Sequence, residues 1–138
     1  MRTKYILPVC LAILLGCNND KGENCVRPEM CTEEFVSITL AFAKPDGRHV
    51  AVQDYQVRQL SNGKILQNRQ TGTTTEPGTY VVTSDRQLSL FSDSGDMAEV
   101  SGKDPVSGRT GTARLKIRGG ACNCHVSKIS GPDKIVLD

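Results

Sequence analysis

FVSITLAFA, residues 35–43, carries the clearest alternation in the chain. Within it Val36, Ile38, Leu40 and Phe42 alternate with Ser37, Thr39, Ala41 and Ala43. A period of two sends the two sets to opposite sides of an extended chain, so the stretch predicts a strand that buries its larger apolar set.

The same pattern recurs along the chain between turn signals. KPDGRHV (44–50) reads as a turn, and DYQVRQL (54–60) is a strand followed by Asn62-Gly63, a hairpin signal because both residues tolerate positive φ. GTYVVTS (78–84) and QLSLFSD (87–93) read as two strands separated by Asp85 and Arg86, with breaks at EPG and DSGD. GTARLKI (111–117) places Ala113, Leu115 and Ile117 on one face, and Arg114, Lys116 and Arg118 on the other. CNCHVSKI (122–129) and DKIVLD (133–138) are expected to close the chain as a hairpin around Gly131 and Pro132. No sustained helical period occurs beyond residue 17.

About seven short strands at regular spacing predict an all-β chain, a single immunoglobulin-like or prealbumin-like two-sheet sandwich over residues 33–138. The chain has no Trp and lacks the long Cys…Trp…Cys spacing of antibody domains, which disfavours a strict immunoglobulin domain. The turn with Asp46, Gly47 and Val50, followed by Gly78 and Tyr80, resembles the prealbumin-like sandwiches that occur as carboxypeptidase-regulatory-type modules. That resemblance implies a module that is mostly non-catalytic.

The chain opens MRTKYILPVCLAILLGCNND. Arg2 and Lys4 form a basic start and residues 5–15 an apolar run. Such a run is too short for a bilayer span, which takes roughly 20 residues, and suits a secretory signal. Leu14-Leu15-Gly16-Cys17 resembles the lipobox of bacterial lipoproteins. The resemblance implies a signal peptide over residues 1–16 and a mature N-terminal Cys17 carrying lipid. Asn18, where an Asp often marks inner-membrane retention in such lipoproteins, favours the outer membrane, on its periplasmic or surface face. Residues 17–32 are polar, contain Pro28 and read as a lipidated tether.

Of the six cysteines, Cys10 lies in the leader and Cys17 is expected to carry lipid, which leaves Cys25, Cys31, Cys122 and Cys124. Outside the cytoplasm an even set predicts two disulfides, with three connectivities open. Cys122 and Cys124 sit two apart on the expected strand, where Cα atoms are roughly 6.5–7 Å apart, so each is expected to pair with the N-terminal segment. The alternative is a metal-handling lipoprotein in which these four thiols and His125 hold zinc or copper. Against it, alternation along a strand turns His125 away from its neighbouring thiols, and C-x-C-H lacks the usual zinc spacing.

Other residues carry little chemistry. His49 sits beside a turn as a solvated side chain, no GxSxG is present, and Glu33 and Glu34 alternate faces. Asp93, Asp96 and Glu99 lack the order of an EF-hand loop and read as a solvated turn. Arg109, Arg114, Lys116 and Arg118 form a basic row, either a solvent face or a contact for an anionic glycan or lipopolysaccharide. The whole chain has 17 basic and 15 acidic residues, and loss of Arg2 and Lys4 would leave it formally neutral, with few aromatics. That balance gives no nucleic-acid footprint. The expectation is a non-enzymatic, lipid-anchored binding or accessory module of the bacterial cell envelope, without a cofactor, whose partners are the membrane and an envelope protein or glycan.

Overall fold

A computed structural model describes residues 30–70 and 72–138. Expectations for Cys17, Cys25 and the leader lie outside those residues. The described residues form eight strands: β1 (Ser37–Ala43), β2 (Gln53–Gln59), β3 (Ile65–Asn68), β4 (Thr79–Ser84), β5 (Asp96–Lys103), β6 (Thr110–Arg118), β7 (Ser127–Ser130) and β8 (Lys134–Val136). They make a three-stranded sheet, β4-β1-β8, and a five-stranded sheet, β3-β2-β5-β6-β7. The result is the expected all-β sandwich, with one strand more than expected.

β1 starts as the alternation predicts, Ser37 and Thr39 exposed and Ile38 and Leu40 buried, but Ala41, Phe42 and Ala43 are all buried. Toward that end β1 has strands on both sides, β4 and the parallel β8. The core joins both sheets through Phe42, Tyr55 and Tyr80. Tyr55 and Tyr80 stack at 4.4 Å between centroids, and Phe42 meets each ring edge-on. Their hydroxyls do not stay unpaired: Tyr55 donates to the Val81 carbonyl at 2.9 Å, and Tyr80 accepts from the Val52 amide at 2.9 Å. Gly102 and Gly111 face each other across β5 and β6. A Cβ on Gly102 would meet Val52 and Phe42, and one on Gly111 would meet Ile135 and Leu137, at 2.6–2.7 Å. Two bare positions therefore let the small sheet close onto the large one.

Three local expectations are corrected. QLSLFSD is not a strand: residues Asp85–Leu90 form a 3-10 helix that carries the chain from β4 in one sheet to β5 in the other. Polar side chains hold it there. Gln87 accepts from Thr83 and Gln67 and donates to the Leu66 carbonyl, and Gln59 donates to the Leu90 carbonyl. CNCH is likewise not a strand, since β7 begins only at Ser127 and residues 119–126 form a loop. The terminal pair is not a hairpin either: β7 pairs with β6, while β8 crosses at Gly131-Pro132 to lie parallel to β1. The β2–β3 hairpin does form at the Asn62-Gly63 signal, but only Gly63 has positive φ, and Gln59 and Lys64 close the turn.

Candidate functional site

The residues with chemical potential gather where the N-terminal segment meets loop 119–126. Cys31 and Cys124 are joined by a disulfide, with Cα atoms 5.3 Å apart and a sequence separation of 93. Cys122 is also disulfide-bonded. One residue after Cys31, the Thr32 hydroxyl lies 2.8 Å from Nε2 of His125. On the other side of the ring, Nδ1 lies 2.7 Å from Oδ2 of Asp85. A carboxylate partner fixes the proton on Nδ1, which leaves Nε2 of the neutral ring to accept from Thr32.

Asp85 does more than orient the ring. Its Oδ2 also accepts from the Val36 amide at 2.8 Å, and its Oδ1 from the Val126 amide at 2.9 Å. Burial alone would raise the Asp85 carboxyl, but the Val36 amide, the His125 ring and the Val126 amide together hold it below the ordinary carboxylate value. Asp93 plays a matching part for the loop, accepting from the Cys122 amide at 2.8 Å and the Asn123 side chain at 3.0 Å. Gly120 makes room for it, because a Cβ there would meet the Asp93 carboxylate at 2.7 Å.

A hydroxyl, an imidazole and a carboxylate in series have the order of nucleophile, base and orienter in acyl-transfer enzymes. Here the same three residues also join the N-terminal segment to loop 119–126. The amides of Val36, Val126, Cys122 and Gly120 are engaged, with Asp85, Asp93 and the Leu88 carbonyl. Thr32 is itself exposed on the stapled segment.

Sequence reading singled out Cys31, Cys122, Cys124 and His125, and the structure brings them together with Thr32 and Asp85. It corrects the orientation of His125: on a loop rather than a strand, the ring turns toward the stapled segment. Asp85 and Thr32 were missed. Their partners lie 40 and 93 residues away, and no local pattern marks such a meeting. His49 stands exposed elsewhere. Asp93, Asp96 and Glu99 separate into distinct tasks: Asp93 holds the loop, Asp96 accepts from the Ser92 amide at 2.7 Å, and Glu99 pairs with Arg114 at 3.2 Å. Among the described residues no group of three or more His, Cys, Asp or Glu side chains is placed to hold a metal ion. Comparison with protein-family models, curated proteins and solved structures finds no match.

Proposed function

We propose that this chain is a non-enzymatic, lipid-anchored module of the bacterial cell envelope, tethered through Cys17 to a membrane, with the outer membrane favoured, and presenting its sandwich to an envelope protein or glycan. The observation that carries the reading is the staple. The disulfide Cys31–Cys124, backed by the Thr32–His125–Asp85 contacts, ties the segment that follows the expected lipid site to the end of the sandwich. A pull on the N-terminus then reaches loop 119–126, and through Asp85 both β1 and the start of β7. An anchored domain benefits from such a load path, and a disulfide suits the oxidising space outside the cytoplasm. The prealbumin-like resemblance belongs to the same reading. A metal-handling role would first require reduction of Cys31 and Cys124, whose sulfurs are bonded to each other.

The test replaces Cys17. In the Cys17→Ala variant palmitate labelling is lost and unprocessed precursor accumulates. Undiminished labelling rejects the anchor. Hydrolysis of a p-nitrophenyl ester that is equal in the native protein and in Thr32→Val supports the non-enzymatic half, and loss of turnover in the variant rejects it.

A further inference from the structure

The outer face of the five-stranded sheet is not an ordinary solvated surface. Leu60, Ile65, Met97 and Ile129 are each between 37% and 46% exposed. The strand register gathers them at one end of the sheet. Leu60 donates its amide to the Met97 carbonyl, Met97 lies opposite Lys116, and Ile65 lies opposite Arg58. Ile129 and Lys116 both crowd the same spot, since a Cβ on Gly95 would meet Ile129 Cδ1 at 2.5 Å and Lys116 Cε at 3.1 Å. Cations interleave with these side chains. Arg58, Lys116 and Arg118 have no carboxylate partner among the described residues, and the one acid in the row, Glu99, is paired with Arg114.

The patch also lies at the stapled end. Arg118 ends β6 and meets Ser127 at the start of β7, and the loop between them carries Cys124. From Cys17 to Met30 are thirteen residues. At full extension they span at most about 45 Å. A domain tied at this end therefore stays within reach of whatever surface holds Cys17.

The geometry points to this patch as a docking face for an anionic lipid surface, an inference that rests on the anchor reading. Unpaired cations attract acidic headgroups, while Leu60, Met97 and Ile129 offer apolar side chains to the headgroup–acyl boundary. The attraction is weak per charge and serves to orient a domain already held near the bilayer. The sandwich lies with its large sheet on the membrane and the β4-β1-β8 sheet facing outward.

The test returns the processed protein purified from cells to vesicles of phosphatidylcholine, with or without phosphatidylglycerol. A fluorophore sits on a cysteine introduced at Met97 or, on the opposite sheet, at Thr39, and brominated lipids quench it on contact. Quenching is expected at position 97 only, only with phosphatidylglycerol, and to be lost at high salt. Lys116→Glu combined with Arg118→Glu should bring it down to the phosphatidylcholine level. The milder pair Lys116→Gln and Arg118→Gln should lower the docking constant roughly thirty-fold, with an unchanged melt guarding against misfolding. Equal quenching at 97 and 39, or quenching without phosphatidylglycerol, overturns the proposal. So does loss of probe exposure that follows protein concentration instead of lipid, the mark of a second copy. Detergent phase separation reads the anchor separately. A protein that stays in the aqueous phase refutes lipidation of Cys17 and with it this placement of the sheet, whereas a protein in the detergent phase without selective quenching at 97 refutes the docking face alone.

Discussion

Asp85 accepts hydrogen bonds from three groups that are far apart in sequence, the amides of Val36 and Val126 and the ring of His125. Its folded carboxyl titrates below its unfolded value, so the stability it contributes is present above about pH 4 and is lost as pH falls through the folded value. Asp85→Asn should therefore cost about 1–3 kcal/mol near neutral pH. The difference from the native protein should close as pH falls below about 4, which melts taken across pH will read. Asp104 behaves in the same direction. It is buried and accepts from Lys44, Ser107 and the Val106 amide, which hold its carboxyl well below the usual range. His125→Ala would look harmless if the ring faced solvent from a strand. The ring instead bridges Asp85 and Thr32, so its loss should cost about 1 kcal/mol.

At the scale of elements, what was legible in the sequence was whatever repeats locally. Alternation found β1, β2, β4 and β6, and their inward residues are the core: Leu40, Val57, Val82, Leu115 and Ile117 are essentially inaccessible to solvent. The Ile38 and Thr39 pair tests this directly. Ile38→Asp, which buries a charge without a partner, should abolish the cooperative melt, while Thr39→Asp should leave it within about 0.5 kcal/mol. Equal loss in both variants would mean that the strand is covered on both sides there. What failed was decided by partners rather than by pattern. QLSLFS alternates as a strand would, but the chain must leave one sheet for the other at that point. The polar anchors Gln59, Gln67, Gln87 and Thr83 satisfy a 3-10 turn and offer no ladder. The last two strands looked like a hairpin because a Gly-Pro turn separates them. Yet Leu137 donates to the Ala43 carbonyl and so ties β8 beside β1.

At the scale of the whole molecule, Cys31–Cys124 closes a loop of 93 residues. Constraint of the unfolded chain by such a loop stabilises by up to about 4–5 kcal/mol, often less. Paired Cys31→Ser and Cys124→Ser substitutions should lower the melting temperature, and chelators should have no effect on the native protein. The cysteine chemistry was legible from the even cysteine count beyond Cys17, whereas the pairing and the Asp85 clamp were not, because they depend on where the ends of the two sheets meet. We propose that a lipid-bearing N-terminus is stapled to the end of this β-sandwich. That attachment is read most directly by non-reducing mass spectrometry and peptide mapping of the protein purified from cell envelopes. The expected product is a mature chain beginning at an acylated Cys17, with Cys31 linked to Cys124 and Cys25 linked to Cys122. A chain that retains Met1 and an unmodified Cys17, or one in which Cys31 and Cys124 are free thiols, would contradict it.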